Sequence, residues 1–163
     1  TAVLGKKKIM KSSENSFISS TFWSERVGYV AALETLNQME KTKSWKKISE
    51  LGIYFRKKLK DLSEKNDIRI EITGLLGIPN FSIKNDTHNI YKTFITQEML
   101  KNGFIINNAV YISICHNKKI FEKFFNILDK IFKKIKKCKS ITNVKKLLDD
   151  KESTNSFERL NLN

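Results

Sequence analysis

In the stretch "FISSTFWSER", Phe17 to Arg26, the hydroxyl residues Ser19, Ser20 and Thr21 stand just ahead of an apolar helical pattern. Hydroxyls in that position have two chemical uses. They can cap the helix by accepting hydrogen bonds from its first N–H groups. With those same N–H groups they can also cradle a phosphate, because the helix end is electropositive. On these residues alone capping is the simpler reading. Cys115 and His116 suggest a thiol–imidazole pair, but neighbours on a strand point to opposite faces and cannot share a proton. A buried cysteine beside a turn histidine accounts for them. His88 falls at a helix start, where capping or plain exposure accounts for it, and Asp149–Asp150 read as a solvated helix end. "GLLG" is too sparse for a phosphate loop. No self-contained catalytic constellation is visible.

The formal charge of +14 raises nucleic acid or an anionic surface as a partner. Yet arginine occurs only at Arg26, Arg56, Arg69 and Arg159, and base- and phosphate-reading surfaces favour arginine's planar fork. Lys, Ile and Asn are abundant together, as an AT-rich genome would encode, so solvated lysine faces explain most of the charge. A lysine-rich nucleic-acid-binding module stays open as the rival reading. Two distant cysteines form neither a disulfide framework nor a zinc spacing, which suggests reduced thiols and a cytoplasmic protein. No apolar run reaches the roughly 20 residues that cross a bilayer.

Several elements must position these residues. "TAVLGKKKIM" reads as a strand end, a glycine turn and a basic segment, and "KSSENSF" as a polar loop. From Ser24, Val27, Val30, Ala31, Leu36 and Met39 recur at helical spacing, with Gly28, Ala31 and Ala32 keeping one side slim. A second helix is predicted from about Ser44 to Glu64, with Trp45, Ile48, Leu51, Phe55 and Leu59 inward. Alternation at Ile68, Ile70 and Ile72 gives a half-buried strand. A turn at Gly77 and Pro79 leads to a short strand at Phe81–Ile83. "NDTHNIYKTFITQEMLKNG" is a helix with an Asx or hydroxyl cap, ending at Gly103. "FIINNAVYISI" supplies one or two more strands. The helix from about Lys119 to Lys137 has the strongest apolar face, which marks a core face rather than a membrane-surface segment. A short amphipathic piece and a polar tail follow. The order suggests an α+β layer, a small antiparallel or mixed sheet covered by helices.

At this point "FISSTFWSERVGYVAALETL" resembles the segment that follows the cofactor lysine in class III pyridoxal-phosphate aminotransferases, and it is most similar to glutamate-1-semialdehyde aminomutase-like members. There the stretch reads like G-T-x-S-G-N-P before a small-residue helix ending in A-T-L. Ser20–Thr21 fall on G-T, and Glu34 to Leu36 on A-T-L. "IEITGLLGIPNFSI", the run from "FITQEML" to "ILDKIF", and "NSFERLN" resemble later family segments in the right order, so the resemblance covers nearly the whole chain.

The resemblance implies the C-terminal part of a fold type I enzyme. It implies a homodimer with active sites at the subunit interface, pyridoxal 5'-phosphate as cofactor, and a small-molecule amino donor and carbonyl acceptor as substrates. It implies no role for nucleic acid or membrane. Thr21 falls on the residue that bonds the cofactor phosphate in the partner subunit's site, with the Ser20 N–H as a second donor. "WSER" replaces S-G-N-P, so Trp23 and Glu25 are expected to face a different substrate. The Schiff-base lysine is expected upstream of Thr1, which leaves the chain inactive by itself. The implied organisation is 1–23 closing the large domain, 24–45 a connecting helix, 46–138 the small domain and 139–163 a terminal helix and tail. A non-catalytic relative of the family is the remaining alternative.

Overall fold

In a computed structural model of the chain, residues 4–17, 21–22, 25–107 and 109–154 are described. They divide into two compact units, Thr1–Thr42 and Lys43–Asn163.

In the first unit a single helical turn, α1 (Lys7–Met10), runs into a 3-10 helix at Lys11–Asn15. The stretch expected as a polar loop is therefore helical; Ser13 stabilises it by donating its hydroxyl to the Met10 carbonyl at 2.6 Å. The expected strand end at residues 1–3 lies outside the described residues. α2 (Arg26–Thr42) forms where the helical spacing placed it. None of its residues is buried, and Val27, Tyr29, Val30, Leu33 and Leu36 are each more than 60% exposed.

The second unit holds the hydrophobic core. α3 (Ser44–Asn66) is followed by the antiparallel hairpin of β1 (Ile70–Leu75) and β2 (Ile78–Ile83), then by α4 (Ile90–Lys101), α5 (Lys118–Lys137) and α6 (Ile141–Lys145). α3 and α4 pack on the hairpin, α5 packs on both, and α6 packs on α4. Phe55 of α3 meets Phe121, Phe124 and Phe125 of α5 with ring centroids 5.0–5.4 Å apart. Further along both helices, Asn66 donates to Asp129 at 2.9 Å and Lys136 pairs with Asp67 at 3.6 Å. The contacts advance together, so α3 and α5 run parallel.

Period-two patterning builds the hairpin: Pro79, Phe81 and Ile83 point inward from β2, opposite Gly74, Ile72 and Ile70. Its tip lies close against α3. A Cβ on Gly52 would stand 2.0 Å from the Leu76 carbonyl oxygen, which only glycine permits. Arg56 fastens the same tip by donating from Nη2 to the Thr73 and Gly74 carbonyls at 2.9 and 2.6 Å.

Several local expectations are corrected. β2 begins at Ile78, so Pro79 lies within the strand rather than in the turn. Trp45, expected inward, is 46% exposed. The strands expected between Phe104 and Ile114 reduce to an isolated bridge, Asn80 with Ala109, plus bonds from the Val110 N–H to Pro79 and the Ile112 N–H to Gly77. Pro79 is the reason: opposite Val110 it accepts a hydrogen bond but has no N–H to return one, so the ladder cannot continue. α4 ends as expected, with Gly103 at φ +81° and the Phe104 N–H bonded back to Met99. At its start Asp86 receives the Tyr91 and Lys92 N–H groups, both at 2.9 Å.

Candidate functional site

Thr21 and Phe22 form a turn, and the Glu25 N–H donates to the Phe22 carbonyl at 3.3 Å, directly before α2. Thr21 and Glu25 are both exposed. Ser20 and Trp23 lie outside the described residues. The capping reading does not suit Thr21. A cap for a helix that begins at Arg26 belongs at position 25, four residues further on. The Thr21 hydroxyl is thus carried on a turn at the approach to α2, an electropositive helix end. A threonine hydroxyl can donate and accept, and the first N–H groups of α2 lie five residues further along the chain.

The other singled-out residues do not gather. His88 is exposed in the short 3-10 turn (Thr87–Asn89) with φ 60°, while Asp149 pairs with Lys101 at 2.7 Å. Cys115 is exposed, which corrects the buried reading, because the chain leaves the core in a turn there. His116 Nδ1 accepts the Ser113 N–H at 3.0 Å, so it is a turn histidine with that nitrogen engaged by the backbone. Among the described residues no group of His, Cys, Asp or Glu is arranged to hold a metal, and no helix is long and apolar enough to cross a membrane.

Two carboxylates, Glu98 buried and Asp129 half-buried, escaped the sequence reading. Asp129 is reached by Asn66, Lys65 and Lys133. Burial pushes its pKa up, but the bonds from Asn66, Lys133 and Lys65 outweigh burial and bring it down to about 2. Glu98 behaves likewise: burial opposes ionisation, and hydrogen bonds from Lys134, Gln97 and Lys101 hold the pKa below the usual range. Tyr54 is shifted the other way, to about 12, by burial first and then by its hydrogen bond to Glu122. All three are tied into structural ion pairs at helix contacts, with no nucleophile or electrophile between them. A groove of about 460 Å³ also opens between the 104–111 segment and α5.

No family model matches the chain. It is 25% identical over 117 residues to the 3-aminobutyryl-CoA aminotransferase of Cloacimonas acidaminovorans, covering 71% of this chain and 28% of that protein. It is 28% identical over 142 residues to the acetylornithine aminotransferase of Methanocaldococcus jannaschii, covering 83% of this chain and 34% of that protein. The chain is similar in sequence to these two aminotransferases. Its structure is similar to that of the FumI protein of Sphingopyxis sp. MTA144, solved in its PLP internal aldimine form. The TM-score is 0.69 at 21% identity, over 81% of this chain and 32% of that one. The chain therefore has the fold of part of a PLP enzyme, the expected α+β class. It spans about a third of the length of the curated relatives it matches.

Proposed function

We propose that this chain is the C-terminal part of a class III pyridoxal-phosphate aminotransferase or aminomutase that acts as a cytoplasmic homodimer. The carrying observation is Thr21, exposed on a turn just before α2 and not the cap of that helix. It supports a role at the cofactor phosphate of the partner subunit. When bound, the cofactor supplies an electron sink for moving an amino group between small molecules. The Thr21 hydroxyl would donate a hydrogen bond to a phosphate oxygen, a charge-assisted bond that would help hold the group in register. The Ser20 N–H is the second donor, and α2's first turn adds its favourable potential. Trp23 and Glu25 face the substrate, and Glu25 would favour a substrate with a positive group nearby. The Schiff-base lysine belongs to the part of the protein upstream of Thr1. The proposed organisation keeps 1–23 with the large domain, 24–45 as connector, 46–138 as small domain and 139–163 as terminal helix and tail.

The test is Thr21→Val in the intact protein. Losing one hydrogen bond to a charged acceptor should weaken cofactor binding about tenfold or more, read by absorbance titration of the apoprotein. Unchanged affinity would remove Thr21 from the phosphate site.

A further inference from the structure

The groove between the 104–111 segment and α5 is lined mainly by apolar side chains, among them Ile105, Phe121 and Phe124, with Asn107, Tyr111 and His116 as polar members. Its volume of about 460 Å³ falls within the usual range for small-molecule sites, which are apolar with a few placed polar groups. Ile105 is 92% exposed and Tyr111 72% exposed beside it, so the groove is open along that side.

His116 gives the groove a direction. Its Nδ1 accepts the Ser113 N–H at 3.0 Å, and its ring lies against Phe121 with centroids 5.6 Å apart. An Nδ1 that accepts places the proton of the neutral ring on Nε2. The backbone thereby fixes the tautomer and turns His116 into a donor held in one orientation. No Asp or Glu lines the groove, and the chain carries a formal charge of +14, so a carboxylate meets no opposing charge there.

We propose that this groove binds a small carboxylic acid with a flat or branched apolar body, its carboxylate accepting from His116 Nε2 and its body lying on Phe121 and Phe124. The site is built wholly from residues of the second unit and stands independently of the cofactor reading.

The probe is 4-phenylbutyrate, compared with 4-phenylbutanol, titrated into the intact protein by NMR. The acid should shift the His116 ring signals and bind about tenfold or more tightly than the alcohol, the worth of a hydrogen bond to a charged acceptor. Two substitutions separate the ring nitrogens. His116→Asn keeps an acceptor for the Ser113 N–H but removes the groove donor, so the acid–alcohol preference should vanish while the fold, checked by circular dichroism, persists. His116→Gln places an amide N–H near Nε2 and should retain the preference. Equal binding of acid and alcohol by the native protein, a preference that survives in His116→Asn, or shifts confined to other surfaces would each overturn the proposal.

Discussion

At the residue scale the structure makes two sharp demands. The Gly52 position has no room for a side chain, since its Cβ would meet the Leu76 carbonyl at 2.0 Å. Alanine would fit the helical backbone well, with a small gain in propensity. The clash outweighs that gain by a wide margin, because it sets rigid backbone against rigid backbone. Gly52→Ala should therefore destabilise the second unit by about 1–3 kcal/mol, measured as a lowered urea midpoint. Asp129 makes a different demand, through pH. Its folded pKa of about 2 lies below its ordinary value, so its contribution is complete above about pH 5 and is lost as pH falls toward 2. Glu98 is shifted in the same direction and adds to the same acid limb. Asp129→Asn should reduce stability at pH 7 by about 1–2 kcal/mol and make the loss between pH 5 and 2 shallower. Urea midpoints at pH 7 and pH 2.5 check both statements.

At the scale of elements, what was legible in the sequence followed from burial on one side only. The strong apolar face read on the last long helix is buried in α5 at Phe121, Phe124, Phe125, Leu128, Ile131, Phe132 and Ile135, because a 3.6-residue period survives whenever one face meets a core. α3 kept Leu51, Phe55 and Leu59 but not Trp45. Periodicity cannot tell where along a helix the core stops. The 104–114 stretch had the composition of strands, but pairing depends on the partner, and Pro79 denies Val110 its return bond. Pro79→Val would restore that donor opposite the Val110 carbonyl and extend the ladder by one reciprocal pair. The residue-79 amide should then be protected in hydrogen exchange, and rapid exchange there would refute the explanation. The ion-pair positions of Asp129 and Glu98 were illegible for a simpler reason. Their lysine partners lie on other helices or among many equivalent lysines, and only the packing of α3, α4 and α5 selects them. Thr21 was legible as a hydroxyl near a helix, whereas its distance from the cap position needed the helix start at Arg26.

At the scale of the molecule, the two units differ in what holds them together. Among the described residues the buried hydrophobic ones run from Leu51 to Val144, all in the second unit. A piece covering residues 43–163 should therefore unfold cooperatively in urea with its own baseline and midpoint. The described residues of 1–42 contain one long helix, of 17 residues, with nothing buried in it, near the length at which isolated helices are marginal in water. As a separate peptide they should show little helical signal by circular dichroism. A non-cooperative transition in the larger piece would mean that its core needs the first unit.

The parallel course of α3 and α5 has an electrostatic consequence. Parallel neighbours cannot cancel one another's macrodipoles, so both negative ends lie at the same end of the unit. Lys65 stands in the last turn of α3, and Lys134, Lys136 and Lys137 stand in the last turn of α5. The positive charge gathered there answers a field made by the backbone itself. Part of the chain's basicity is thus spoken for within the fold, and added salt, by screening both partners, should leave this end less sensitive than a lysine count suggests.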